Sequence, residues 1–435
     1  MEVFDSFNQK SFKLTLSKNQ KLTIMSKNIE TNKLFVASCL ALLVTSLSFG
    51  IRAGVLSQQG IDFNLDSAQL GTIAATAFWG FPLAILVGGT IVDIIGMKRL
   101  LVLAFLFHFA GIALTIFATG YWTLFVSTLC VGIANGLVEA SCNPLVTSLF
   151  PENKTTKLNH FHLWFPGGIV IGTLIVFLFN KIGLGMHYQV GIMLIPTVLY
   201  GYLFSKLEFP VTERVSSGVS SATMYKSLLN PLFIFMFICM FGTAITELFT
   251  GQWIDVLLKN VSENAILLLT IETGIMVLGR GFAGPVVKKL SPQGVLLIST
   301  ILAAAGLYIL GHSSGNMLFV GAIVFGIGVC YFWPTMLGFV SENLPETGAV
   351  GINLMGGAGM FAVSIYMIFM SDFYDTLVAA KIPAGTSAEN LAAVTNEAKK
   401  LAGPEIINAT LTIPLILIVA FGGLYIYMKR RKAIA

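Results

Sequence analysis

The chain has 435 residues, 55% of them hydrophobic and 11% charged, with a formal net charge of +5. Soluble domains carry about 25% charged residues, so this composition excludes an ordinary water-facing globule and points to an integral membrane protein. The basic excess is spread over separate loops, which excludes a nucleic-acid-binding face.

The first 33 residues are polar and hold six lysines, without the apolar core or small-residue cleavage site of a secretion signal. They read as a disordered tail. Apolar runs of 18 or more residues are candidates for membrane spans. Twelve follow, at 34–57, 69–95, 99–119, 122–150, 158–180, 188–206, 231–257, 264–287, 294–312, 316–341, 349–373 and 407–428. The expected organisation is a tail over 1–33, a six-helix bundle over 34–206 and a Ser-rich linker over 207–230. A second six-helix bundle over 231–428 and a basic tail over 429–435 complete it. The fold class is therefore an all-α integral membrane protein of two six-helix pseudo-repeats.

Most of the 26 Lys and Arg fall in the two tails and in alternate loops: Lys98-Arg99, Lys154 and Lys157, the 206–226 connection, and Lys288-Lys289. The positive-inside rule puts these segments, and both termini, on the cytoplasmic side. On the opposite side, the polar stretch over 374–406 contains SAENLAAVTNEAKKLAG, which reads as a short amphipathic helix.

The two halves echo each other. Gly136, Pro144 and Glu152-Asn153 recur as Gly326, Pro334 and Glu342-Asn343 at an offset of 190, and Gly89 and Asp93 recur as Gly284 and Lys288 at 195. Two similarities at nearly one offset imply duplication. Six-span repeats of this parallel kind place a midplane cavity between them.

Gly88-Gly89-Thr-Ile-Val-Asp93-Ile-Ile-Gly96-Met-Lys98-Arg99, directly after span 2, resembles the loop signature of the major facilitator superfamily. The resemblance implies the twelve-helix fold, secondary transport, and a structural and conformational role for Asp93, Lys98 and Arg99. Asp93 is expected to meet a helix N-terminus or a basic residue. A narrower resemblance is to the fucose–proton symporter-like sugar transporters. It rests on Glu139-x-x-x-Asn143-Pro144, Pro151-Glu152, and Leu158-Asn159-x-x-His162-x-Trp164-x-x-x-Gly168-x-x-x-Gly172. His162 and Trp164 stand where that family has Gln and Phe. The family's residue matching Glu139 is implicated in proton coupling and sugar recognition. Its second acid, an Asp in span 1, has no counterpart here; span 1 carries Arg52 instead.

Charge at membrane depth costs roughly 2.5–3.5 kcal/mol on insertion scales and marks functional candidates. Five such residues stand out: Arg52, Glu139, Glu247, Glu272 and Arg280. Glu139 is either a hydrogen-bonder between helices or a carboxyl that loads and releases a proton as access alternates. Asn143, one turn on, adds an amide for hydroxyl groups. Arg52 and Glu247 lie 195 apart, at matching places in spans 1 and 7. They read as an outer ion pair closing the cavity, or Arg52 holds a substrate carboxylate or phosphate. Arg280, beside two glycines, reads as an inner-gate residue pairing with Glu342 or a neighbouring carbonyl, and Glu152 joins the gating set. Glu272 faces either the cavity or another helix.

Asn135, Asn143, His162, Trp164, Gln252, Trp253, Tyr331, Trp333 and Asn353 join Arg52 and Glu247 as the substrate-binding set. Sugar rings stack on aromatic faces while amides and carboxylates take hydroxyls, and mostly apolar cavities with few placed polar groups suit small ligands. His160 and His162 are solvated or tune Glu139; neither sits at metal-ligand spacing with an acid or thiol. The five cysteines lie in apolar runs without zinc spacing. No hydrolase set or phosphate loop is present, so no enzyme, cofactor or metal is expected. The expected function is a monomeric transporter of the cytoplasmic (inner) membrane, moving a small polar solute, foremost a sugar, with protons or sodium. An organic-anion or sugar-acid carrier using Arg52 is the alternative, and a drug exporter a further one.

Overall fold

The computed structural model describes residues 29–250 and 265–434. Residues 1–28 of the expected polar tail and the expected ligands Gln252 and Trp253 lie outside the described residues, while the last three tail residues already belong to the first helix. Among the described residues every regular element is helical. Eleven helical stretches are long and apolar enough to cross a membrane. The helix Ala265–Gly281, which begins at the edge of the described residues, supplies the remaining span.

Spans 1 to 4 are the helices Thr31–Asp62, Ser67–Ile95, Met97–Ile116 and Tyr121–Leu149. Asp66 starts span 2 with a reciprocal cap: its carboxylate accepts Gln69 N at 2.8 Å, and Gln69 Oε1 accepts Asp66 N at 3.0 Å. A single residue, Gly96 at φ 86°, turns span 2 into span 3; a left-handed conformation of this kind favours glycine. Span 5 is broken into Lys154–His162 and Trp164–Lys181, and span 6 into Met186–Gly191 and Leu194–Lys206. The linker is not featureless: it holds the short helices Glu213–Ser216 and Ser221–Ser227.

In the second half, span 7 runs Pro231–Ala244 and continues as a π-helical turn, Ile245–Phe249. Span 8 is Ala265–Gly281, span 9 lies within Ala283–His312, and span 10 is split into Met317–Val329 and Phe332–Asn343. Span 11 is Gly348–Ala380 and span 12 lies within Leu391–Ile434. The 374–406 segment is thus not a separate short helix. Its Ala-, Glu- and Lys-rich sequence is strongly helix-forming and merges with the apolar run behind it into one helix of 44 residues. At 1.5 Å per residue that is about 66 Å, roughly twice the ~30 Å hydrocarbon thickness, so its polar start stands clear of the bilayer.

Within the first half, span 4 packs on spans 2 and 3, and span 1 on span 5; in the second, span 9 packs on spans 10 and 12. Spans 1 and 5 cross closely at glycines: a Cβ on Gly172 would sit 3.2 Å from Ile51 N and 3.3 Å from Gly50 Cα. Small residues permit such backbone approach. Between the halves, span 11 packs on span 2, span 8 on span 5, and the first helix of span 5 on the second helix of span 10.

Candidate functional site

Three prolines shape the centre of the molecule. A proline inside a helix has no N–H for the carbonyl four residues earlier. Pro144, Pro166 and Pro334 therefore leave the carbonyls of Ala140, His162 and Cys330 without their usual helical donor. Each is taken by a side chain from a different span. Asn353 Nδ2 donates to Ala140 O at 2.9 Å, Arg280 Nη1 to His162 O at 2.9 Å, and Arg280 Nε to Cys330 O at 2.7 Å.

Arg280 has one further bond, from Nη2 to Glu247 Oε1 at 2.7 Å, and both side chains of this ion pair are at least 97% buried (2% and 3% exposed). The other Glu247 oxygen accepts Trp333 N at 3.2 Å, at the start of the second helix of span 10. A carboxylate there meets unused N–H groups and the positive end of the helix dipole. The π-turn that presents Glu247 is a local widening frequent at functional sites. A buried guanidinium is sustained when its donors are matched by acceptors, and the two freed carbonyls and the acid do this. The guanidinium also joins the halves, because His162 belongs to the first and Glu247 and Cys330 to the second.

Facing this clamp is a second polar group. Asn143 Nδ2 donates to Glu139 Oε2 at 2.6 Å, and Asn143 Oδ1 meets His162 Nε2 at 3.0 Å. The amide oxygen only accepts, so His162 Nε2 carries the hydrogen. His162 Nδ1 then faces Glu139 Oε1 at 3.9 Å. Glu139, His162, Glu247, Arg280 and Trp333 line one cavity with Phe81, Phe165, Leu248 and Met360; in this closed conformation its free space is about 20 Å³, room for about one water. Walls largely apolar with a few convergent polar groups are the usual character of a small-molecule site.

Several expected residues lie elsewhere. The Arg52–Glu247 pair is not formed. Glu247 takes Arg280, while the Arg52 guanidinium lies 4.9 Å from the Phe49 ring and 5.6 Å from that of Phe78. Matching places in two repeats fix depth, not which neighbour a helix face meets. Arg52 lines a separate cavity with Ser48, Gln59, Thr115 and Thr128. Asn135 is tied into a buried network, with its Oδ1 2.8 Å from His108 Nε2 and its Nδ2 donating to Ser48 Oγ at 3.1 Å; His108 Nδ1 meets Tyr200 Oη at 2.8 Å. Trp164 is half-buried and its neighbour Phe165 lines the cavity instead. Tyr331 donates to Gly279 O at 2.7 Å, bracing span 10 on span 8.

Arg280 does not pair with Glu342. Glu342 Oε1 instead accepts Thr155 N at 2.9 Å and Thr155 Oγ1 at 2.7 Å, capping the first helix of span 5. Beside it, Lys154 Nζ reaches Glu213 Oε1 at 2.6 Å and Ser341 O at 3.0 Å. Asp93 is held by Arg214 Nε and Thr212 Oγ1, each at 2.5 Å, and Lys98 donates to Leu207 O at 2.9 Å. The halves and the linker are thus laced together on the basic side, where Lys98 and Lys154 lie. Arg99 and Glu152 are exposed there.

A family model of the Major Facilitator Superfamily matches residues 38–365. The chain belongs to the Major Facilitator Superfamily. This is a superfamily of membrane transporters, not enzymes. Among solved structures, an E. coli fucose:proton symporter, FucP, superimposes with a TM-score of 0.66 at 16% identity, covering 88% of this chain and 98% of that one. The proton:xylose symporter XylE gives 0.67 at 15% identity, covering 89% and 94%. By sequence, the chain is 28% identical over 158 residues to a D-xylose transporter of Levilactobacillus brevis, 35% of either length. It is 26% identical over 164 residues to facilitated glucose transporter member 10 of Danio rerio, 37% of this chain and 32% of that one. The chain therefore spans about a third of the length of these curated relatives.

Sequence reasoning expected Arg280 to pair with Glu342 or a neighbouring carbonyl; the structure gives it two carbonyls, and what was missed is its ion pair with Glu247. The signal for the carbonyls was present: both lie four residues ahead of a proline.

Proposed function

We propose that this superfamily member is a secondary active transporter that carries a sugar by alternating access, coupled to protons through Glu139, with both termini cytoplasmic. The observation that carries the reading is the division of labour in the cavity. Glu247 has Arg280 as a fixed counter-ion. Among the described residues, Glu139 has only the amide of Asn143 within hydrogen-bonding distance and the imidazole at 3.9 Å. A carboxyl sealed from water is cheapest in its neutral form, and one opened to solution can release its proton. Alternating access supplies those two conditions in turn. Trp333, Phe81 and Phe165 offer aromatic faces to a sugar ring, and the carboxylates and His162 offer hydroxyl partners. The fucose and xylose symporters of similar fold and the sugar-transporting relatives support the same solute class.

The test is Glu139→Gln in vesicles with an imposed pH gradient, using labelled D-xylose and D-glucose. Gradient-driven accumulation is expected to vanish while counterflow exchange persists; intact accumulation removes Glu139 from coupling. One observation favours a second reading. Arg52 has no acidic partner among the described residues and lines its own cavity, which suits a sugar acid. Uptake of labelled gluconate in preference to neutral sugars, lost in Arg52→Gln, would establish that alternative.

A further inference from the structure

The hydrogen-bond directions around Asn143 fix where a proton sits. The amide nitrogen occupies Glu139 Oε2, so a proton on this acid belongs on Oε1. The amide oxygen takes the hydrogen of His162 Nε2, so a neutral ring presents its lone pair at Nδ1. These two atoms, the acid's O–H and the ring's bare nitrogen, are the ones that face each other at 3.9 Å. A closing of about 1 Å brings them into hydrogen-bond range. Both side chains are buried and line the same cavity.

We propose that Glu139 and His162 form a dyad that shares the transported proton. Resting on the coupling reading above, this adds the second carrier. The O–H bond of Glu139 breaks, the N–H bond of His162 Nδ1 forms, and the neutral pair becomes a carboxylate beside an imidazolium. Net charge in the cavity is unchanged, so the transfer needs no counter-ion. The proton then leaves to solution from whichever member the open side exposes. The charged and titratable groups near the pair are Arg280 on span 8, Glu247 on span 7, Cys142 on span 4 and Cys39 on span 1. Arg280 is engaged by Glu247 and by the His162 carbonyl rather than by the ring. That arrangement leaves Nδ1 free for the acid.

His162→Gln separates the base from the bridge, because glutamine retains an N–H for Asn143 Oδ1 and removes only the ring nitrogen. A second home for the proton raises the apparent midpoint of the protonated pair, so losing it lowers the midpoint. Counterflow of labelled D-xylose or D-glucose should fall off at a pH lower by about 0.3 unit in the variant for an evenly shared proton, and by more where His162 is the preferred home. An unchanged midpoint overturns the dyad. If the variant does not fold, wild-type protein with ¹⁵N-labelled histidine supplies the readout without solute. Nδ1 should titrate together with the infrared carboxyl band that Glu139→Gln removes, and independent titrations overturn the proposal. Persistent accumulation in Glu139→Gln defeats the coupling reading itself, whereas its loss with an unshifted His162→Gln profile defeats the dyad alone.

Discussion

Arg280 commits three of its five N–H groups to three acceptors on three spans. A lysine carries the same charge but cannot serve acceptors spread along a planar fork. Hydrogen bonds to charged groups contribute about 1.5–3 kcal/mol each, so Arg280→Lys should slow exchange at least tenfold, as read by counterflow normalised to protein in the membrane. Arg280→Met would leave Glu247 buried without its cation, a loss of about 3–5 kcal/mol. Adding Glu247→Gln should recover part of the thermal stability in detergent, and a double variant less stable than Arg280→Met would exclude the pair as a buried charge couple. At this scale the sequence was informative about which residues are ionisable at depth. It assigned Glu247 to Arg52 and offered Arg280 either Glu342 or a carbonyl, whereas Arg280 takes Glu247 together with two carbonyls. Asn135, Glu139 and Asn143 follow one another at intervals of four, but each such step turns about 40° round the helix, and Asn135 ends on the side facing His108 and Ser48.

The broken spans owe their sockets to proline. Pro334→Ala would return an N–H to compete with Arg280 Nε for Cys330 O. Pro334 is the third residue of the helix Phe332–Asn343, in its first turn, where proline is tolerated, so its removal should change helix stability little while the clamp loosens. The expected result is a several-fold rise in KM for sugar uptake with a melting temperature little changed; an unaltered KM would show that the freed carbonyl does not matter to binding. Pro144 and Pro334 were visible as repeat partners, and the rule of four identifies their freed carbonyls. Which side chain fills each socket depends on which span passes alongside. In the first half that donor is Asn353, brought across from span 11, and no local pattern announces it. Span lengths were legible for a simpler reason, because hydrocarbon thickness sets them. The extension of span 12 was not, because a helix-forming polar stretch and an apolar run meet without a break.

Across the whole molecule, the basic side is sealed by contacts that any inward opening must undo. Gly338 is one of the tight ones: a Cβ there would fall 2.3 Å from Thr155 Oγ1 and 2.7 Å from Thr155 Cα. Gly338→Val should prise the second helix of span 10 from span 5. A cysteine placed at Ser341, next to the Lys154 contact, should then react with a soluble thiol reagent several-fold faster than in the Gly338 background. Equal rates would mean that the seal lies elsewhere. Background labelling is low, since four of the five native cysteines are buried and Cys130 is partly covered.

The long helix of span 12 has a practical consequence. Its polar start packs on the protein through Ala398 and Ala402, is tied to the end of span 11 by the Lys381–Glu405 ion pair at 2.5 Å, and meets the membrane run at Pro404. The turn before this helix, from Lys381 to Asn390, is largely exposed and contains Gly385 at φ 82°. A small soluble domain or fluorophore grafted into that turn would move with the ends of spans 11 and 12, which it joins. It would then report the tilt of the second half as the carrier cycles, with no probe in the solute's path.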